Sequence, residues 1–185
     1  MLPFVAKLLV GRQLNFEKGK LSIFDQRVLI IPAGLMLIII KTYLKDKKME
    51  KSFYEAAKEG TITFCKGIAR KSDIKSKGML DILVNLTEMN GYGQIIPVKV
   101  DYENKVATFH LRGLPSEALR GEVKTNRPVD SYWCGLVAGG MSFVFNDDID
   151  CVETRCVANG KESCEVVAAK ADFLKKNYKN YVSLF

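Results

Sequence analysis

The sequence predicts an α+β fold in which antiparallel hairpins pack with a cluster of helices. Short stretches with strand patterning, separated by turn residues, occur near the start, in the middle and near the end of the chain. Longer stretches in which apolar residues recur at helical spacing lie between them. Hairpins that alternate with groups of helices are typical of a sheet covered by helices.

The first elements are two short strands and a central helix. Strand patterning over residues 14–18 and 21–31, with turn residues between them, predicts a hairpin after a short N-terminal segment, residues 1–12. Pro32 suits the first turn of a helix, where its missing N–H costs nothing. We expect that helix to run over residues 32–44 and to be buried, because it is apolar on most sides.

Three further helices and two further hairpins follow. Asn159-Gly160 is a strong turn signal for the last hairpin, whereas residues 112–127 show no regular pattern. The predicted elements are helices 49–69, 78–89 and 128–145, hairpin strands 95–101 with 106–111 and 149–158 with 163–168, and a tail helix within residues 170–185. We expect residues 1–185 to form a single domain, as is usual for this length.

Charge and hydropathy restrict the class of protein. The net charge of +7 is compatible with binding to nucleic acid, but no nucleic-acid-binding motif accompanies the lysines, so we do not expect that function. The longest apolar run, residues 28–40, is shorter than the roughly 20 residues of a membrane span, and no transmembrane segment is predicted. In the expected cytoplasmic location, cysteines are free thiols or metal ligands rather than disulfides.

Cysteines near the C-terminus predict a metal site. Glu153, Cys156 and Cys164 flank the Asn159-Gly160 turn, and thiolates with a carboxylate form a tetrahedral donor set for zinc. The fourth ligand is Cys134 on the preceding helix or Cys151 on the strand. Side chains alternate along a strand, so Glu153 and Cys156 converge only if a bulge lies near residues 154–155.

Buried free cysteines are the alternative interpretation of this cluster, and the isolated Cys65 is interpreted in that way. Four protein ligands leave no position for water on the ion, so we expect a structural zinc and no catalytic residues. His110 is the only histidine, which leaves no other partner for a His-dependent nucleophile. The sequence therefore favours a binding protein over an enzyme.

Two segments carry a resemblance to a known family. Tyr132-Trp-Cys-Gly-Leu-Val-Ala-Gly-Gly, and the stretch from Val152 through Glu153-x-x-Cys156 to Cys164, resemble the 4-vinyl reductase domain family. The resemblance implies the NO-signalling and Golgi-transport ligand-binding fold, which is shared by TRAPP vesicle-tethering subunits and by sensors of phenolic or hydrocarbon effectors. It also implies zinc held by Cys134, Glu153, Cys156 and Cys164, and so favours Cys134 over Cys151.

A ligand pocket is predicted beside the metal. Glycines in a helix interior are unfavourable, so the glycines of helix 128–145 suggest close approach of a ligand or of another backbone. Plain core packing is an equally good interpretation of each residue taken alone. The predicted pocket residues are Trp133, Phe109, Gly139, Phe143 and Cys151.

The sequence leaves three hypotheses for function. The first is a non-enzymatic domain that binds or senses an apolar or aromatic, hydrocarbon-like molecule. The second is a scaffold or interaction subunit resembling the tethering proteins, which forms a homodimer through a helical face. The third, a reductase-related accessory protein or zinc enzyme, requires an open position on the metal.

Overall fold

A computed structural model of the chain describes residues 2–72, 74–121, 127–179 and 181, and it confirms the α+β class. The six helices of this described part are α1 Leu2–Val10, α2 Ala33–Tyr43, α3 Lys47–Ala69, α4 Ser76–Met89, α5 Ser131–Phe145 and α6 Ala171–Asn177. The strands are β1 Leu14–Glu17, β2 Lys20–Ile23, β3 Gln26–Val28, β4 Gln94–Asp101, β5 Val106–Arg112, β6 Asp150–Arg155 and β7 Cys164–Ala169.

The larger sheet has four antiparallel strands in the order β4-β5-β7-β6. The two predicted hairpins lie side by side in it, because β5 pairs with β7. A register shift between Glu153 and Arg155 marks a bulge in β6. The connection from β6 to β7 is longer than a tight hairpin loop and contains a short 3₁₀ helix, Val157–Asn159.

The smaller sheet is a three-stranded meander in the order β1-β2-β3. The sequence predicts one strand over residues 21–31, whereas the structure divides it at Phe24 and Asp25. Both residues adopt positive φ, 50° and 58°, as the two central residues of a type I′ hairpin turn do. Helix α1, which the sequence patterning does not predict, packs Leu8 against Ile23 of this sheet.

Helix α5 lies at the centre of the molecule and contacts α3, α4 and strand β6. Twelve of its residues are buried, so it has no polar face of its own. Its close contact with α3 depends on Gly135 and Gly139, where an added Cβ atom would lie 2.3 Å from the carbonyl oxygens of Tyr54 and Lys58 respectively. The glycines therefore set the distance between the two helices.

Polar contacts fix the start of α5 against the start of α3. The carboxylate of Glu50 is buried, accepts a hydrogen bond from the Ser131 hydroxyl and pairs with Arg127. Helix α5 begins at Ser131, three residues later than predicted, and the predicted tail helix is observed as α6, with residues 180 and 182–185 outside the described part. Among the described helices, none combines the length and the apolar character of a membrane span.

Candidate functional site

Four buried side chains that can ionise to anions, here called the acidic cluster, converge where the β6–β7 connection meets the start of α5. One ligand atom from each of Asp130, Glu153, Cys156 and Cys164 lies within 4.8 Å of the others. All four residues are at most 2% exposed, so the cluster is closed to solvent. Two carboxylates and two thiols in this arrangement can hold a metal ion.

The bulge in β6 creates this convergence. It falls between Glu153 and Arg155, at the position where the sequence requires an interruption for Glu153 and Cys156 to reach one ion. Glu153 Oε2 then accepts hydrogen bonds from the backbone N–H groups of Val129 (3.1 Å) and Asp130 (3.0 Å). These N–H groups precede α5, so the Glu153 carboxylate is held at the positive end of that helix.

Hydrogen bonds also orient Cys164, at the start of β7. Its Sγ atom accepts a hydrogen bond from the Val157 N–H group and donates to Asp130 Oδ2, both at 3.2 Å. The 3₁₀ helix after Cys156 brings the Val157 N–H group to this position. The cluster is therefore built from three separate parts of the chain: the start of α5, the end of β6 and the start of β7.

The four groups cannot all ionise together without a cation. Burial raises the pKa of Asp130, and burial together with the Asp130 charge raises the pKa of Glu153 well above its usual value. The hydrogen bond with Cys164 lowers the pKa of Cys156 to about 7 and raises that of Cys164. A divalent ion at the centre would relieve this mutual repulsion, so the residues present fit a metal ligand set.

The structure brings together three of the four ligands named from the sequence, and it adds Asp130. Cys134, the remaining one, lies one helical turn beyond Asp130, and interaction with the Cys151 thiol together with burial raises its pKa well above the usual value. Asp130 and Cys134 share a helix face because they are four residues apart, and this spacing was the available signal for Asp130. The prediction rests on the cysteines and on the resemblance to the family, and neither of these points to the Asp130 carboxylate.

A separate apolar cavity of about 530 Å³ lies between α3, α4 and α5 and extends to the segment between β3 and α2. Leu29, in that segment, is 71% exposed at the edge of the cavity. The lining residues on the helices are Phe53, Ala56, Ala57, Gly60, Thr61, Phe64, Leu80, Leu83, Val84, Leu86, Thr87, Tyr132, Leu136, Val137, Gly140 and Met141. The others are Val28, Leu29, Ile31, Asn90, Tyr92, Ile95 and Phe109.

Of the predicted pocket residues, Phe109 lines this cavity. The indole N–H of Trp133 donates to the Tyr92 carbonyl at 3.0 Å, and its ring contacts the rings of Tyr92 and Tyr132, which do line the cavity. Gly139 faces the backbone of α3 instead. Phe143 packs against the main core, and Cys151 is buried within that core.

Sequence reasoning missed the contribution of α4 and of residues 28–31 to the cavity. Those residues are far from α5 in the sequence, and their apolar pattern is the same as that of core residues. His110 lies on the other side of its strand from Phe109 and is 3.5 Å from Glu165. It is not among the residues that line the cavity in the described part of the chain.

Solved structures with this architecture were found. One is the phenol-responsive sensory domain of the transcription activator PoxR, determined with phenol, which is 17% identical, covers 99% of this chain and 94% of its own, and has a TM-score of 0.77. A vinyl-4-reductase family protein from Methanocaldococcus jannaschii is 20% identical, with coverages of 92% and 95% and a TM-score of 0.52. The chain shares their α+β fold.

A third similar structure is trafficking protein particle complex subunit 3 from Naegleria fowleri, covalently bound to palmitic acid. It is 12% identical, covers 74% of this chain and 91% of its own, and has a TM-score of 0.53. At these identities the likeness is one of fold. No protein-family model and no curated protein sequence matches the chain. The fold expected from the resemblance to the 4-vinyl reductase domain family is thus confirmed by structure.

Proposed function

We propose that this protein is a non-enzymatic domain that binds or senses an apolar or aromatic small molecule in the cavity. The observation that carries the proposal is the cavity of about 530 Å³ in the helical layer. Its volume lies in the range of small-molecule sites, and its lining is predominantly apolar with a few polar groups, as in such sites generally. A phenol-responsive sensory domain with the same fold supports this function.

A covalently held ligand, such as the palmitic acid of the Naegleria fowleri protein, fits this chain less well. A covalent attachment needs a nucleophile that faces the cavity, and no cysteine or lysine is among the described residues that line it. Cys65 on α3 is buried, and burial raises the pKa of its thiol to about 12, which keeps it protonated and unreactive. The proposal is therefore a dissociable ligand.

The experiment that tests this function uses Trp133, the single tryptophan, as the reporter. Its ring contacts Tyr92 and Tyr132 of the cavity wall, so a bound molecule changes its surroundings. We expect phenols or hydrocarbons to change its fluorescence saturably and to raise the melting temperature by mass action. If phenols, hydrocarbons and fatty acids leave both unchanged, the protein is not a binding domain of this kind.

The proposal includes a structural zinc ion at the acidic cluster. Glu153, Cys156 and Cys164 would supply three ligands, and the start of α5 would supply the fourth through Asp130 or Cys134. Crowding of buried acidic groups supports a cation there. The ion would link the β6–β7 connection to α5, the helix that forms one wall of the cavity. Its role would be structural, and it would supply no further chemistry.

Metal analysis of freshly purified protein tests the zinc site. We expect one zinc per chain in the wild type. Asp130→Ala and Cys134→Ala separate the two possible fourth ligands, because only loss of the true ligand lowers zinc content. In a cobalt-substituted sample, absorption typical of four protein donors is expected, and a bound water in place of one donor would instead favour the reductase-related alternative.

A second candidate function, the interaction subunit, is favoured by one observation. Helix α2 exposes Leu35 (48%) and Ile38 (62%), and Ile30, just before that helix, is 84% exposed. An adjacent set of exposed apolar side chains is typical of a protein–protein contact, here with a second copy of the chain. Light scattering after gel filtration tests it: a dimer that Ile38→Glu converts to a monomer is expected, and a monomeric wild type would exclude it.

A further inference from the structure

The volume of the cavity limits the size of its ligand. An apolar cavity of about 150 Å³ is sufficient to bind a benzene ring, whereas the cavity between α3, α4 and α5 measures about 530 Å³. A single ring would fill about a third of it. Since affinity in apolar sites comes from the apolar area removed from water, a one-ring phenol would use only part of the available stabilisation.

The lining also limits the charge of the ligand. Of the described residues that line the cavity, none is Asp, Glu, Lys, Arg or His. An ion that left water for this surface would lose its hydration without gaining a counter-charge. The single histidine does not alter this, because His110 pairs with Glu165 outside the lining.

The polar groups of the cavity are few and mostly neutral hydroxyls. Thr87 already donates to the carbonyl oxygens of Leu83 and Val84 within α4. Tyr92 and Tyr132 both line the cavity, and each carries a hydroxyl; we refer to them as the Tyr92–Tyr132 pair. Burial raises the pKa of Tyr132 to about 12, so its hydroxyl is uncharged at neutral pH and can donate or accept a hydrogen bond with one polar group of a ligand.

We infer that the ligand is an uncharged, mainly hydrocarbon molecule much larger than a single aromatic ring, with at most one hydroxyl or carbonyl group that meets the Tyr92–Tyr132 pair. This inference rests on the proposed binding function and names its ligand class. An ionised fatty acid and a small phenol are both poorer ligands than a neutral molecule with a long or multi-ring carbon skeleton.

The test compares three probes on the full chain: n-decanol, decanoate and phenol. Trp133 fluorescence and calorimetry give the dissociation constants at about pH 8, where decanoate is ionised. We expect n-decanol to bind at least about tenfold more tightly than either of the other two, from its extra buried methylenes and its lack of charge. Tyr132→Phe should weaken n-decanol binding while leaving the binding of n-decane unchanged.

Gly60 and Gly34 provide a matched pair of variants. Both are helix glycines at which an added Cβ atom meets no neighbouring atom within 4 Å, but Gly60 lines the cavity, whereas Gly34 lies on α2 outside it. Gly60→Leu should weaken n-decanol binding by about tenfold and phenol binding much less, because a small ring still fits beside the new side chain. Gly34→Leu should change neither.

The outcomes separate the two proposals. If phenol or decanoate binds as tightly as n-decanol, or if Gly60→Leu has the same effect as Gly34→Leu, the inference about ligand class is wrong while a binding function remains. If the wild-type protein binds none of the three probes and no n-decane, the proposed function itself is contradicted, and the ligand class with it.

Discussion

Glu153 is a buried carboxylate that lies beside Asp130 and accepts two backbone hydrogen bonds at the start of α5. Its own strand would direct it away from Cys156 if the strand were regular. The bulge after Glu153 removes this conflict. A single irregularity of the backbone therefore brings into one cluster residues that the alternation of a strand would separate.

Cys156→Ser is expected to abolish stoichiometric zinc and to lower the melting temperature. Zinc at about a thousand times its dissociation constant stabilises the folded state by about 4 kcal/mol, which corresponds to about 10 °C for a chain of this size. Metal analysis and thermal unfolding measure both effects. The exposed neighbour Arg155→Ala is the control and should retain zinc, and a chelator should destabilise the wild type but not the Cys156 variant.

Asp150 gives a pH-dependent contribution to stability. Burial alone would raise its pKa, but hydrogen bonds from Lys58 (2.7 Å) and Tyr181 (2.7 Å) outweigh burial and lower it. A lowered carboxyl pKa stabilises the folded state above the unfolded pKa, about 4, and this stabilisation is lost as the pH falls through the folded pKa.

Asp150→Asn should therefore lower the free energy of unfolding by about 2 kcal/mol at neutral pH, and by less as the pH falls below about 4. Denaturant unfolding of both proteins over this pH range measures the difference, in which the contributions of other titrating groups cancel. A difference that stays constant down to the lowest pH would contradict a role for the Asp150 charge.

At the scale of elements, the contact between α3 and α5 decides the position of the cavity wall. Small residues at positions 135 and 139, one helical turn apart, let the two backbones approach closely. The sequence prediction left open whether these glycines admit a ligand or another backbone. The structure assigns Gly135 and Gly139 to backbone contact and places Gly140 at the cavity.

Gly139→Ala should destabilise the protein although alanine is the better helix former. The gain in helix propensity is about 1 kcal/mol, whereas overpacking against a neighbouring backbone costs about 1–3 kcal/mol, and here the added Cβ atom would lie 2.3 Å from the Lys58 carbonyl oxygen. Because the neighbouring atom belongs to the backbone, we expect the upper end of this cost and a net loss of about 2 kcal/mol in the free energy of unfolding. Gly34→Ala, at an open helix position, should be neutral or stabilising.

At the scale of the whole molecule, α5 connects the acidic cluster to the cavity. Asp130 precedes its first turn, and Tyr132, Leu136 and Gly140 follow along its cavity side. An ion that fixes the start of the helix would therefore fix one wall of the cavity. We therefore predict that metal content and ligand affinity depend on each other.

Removal of the metal is expected to weaken ligand binding by about tenfold, as a coupling of 1–3 kcal/mol implies. The measurement is the affinity of the wild-type protein for n-decanol before and after dialysis against a chelator, followed by restoration of zinc. Recovery of affinity with zinc is required, because a loss that zinc does not reverse would reflect unfolding. Equal affinities with and without metal would show that the two sites are independent.

The sequence by itself determined the α+β class, the existence of α2, α3, α4 and α5, both hairpins of the larger sheet and three members of the acidic cluster. These features are local: helical periodicity, strand alternation and turn residues act over a few neighbouring positions. Even the need for a bulge between Glu153 and Cys156 followed from the alternation of a strand. The expected burial of α2 is wrong, because only one side of this helix packs inward and Leu35 and Ile38 are exposed.

Only the tertiary structure placed Asp130 rather than Cys134 in the acidic cluster, and assembled the cavity from α4 and from residues 28–31 as well as from α5. The physical reason is that an apolar residue has the same pattern whether it packs against the core or lines a cavity. Which of the two occurs depends on the distance between helices, and that distance is set by contacts between residues far apart in the chain.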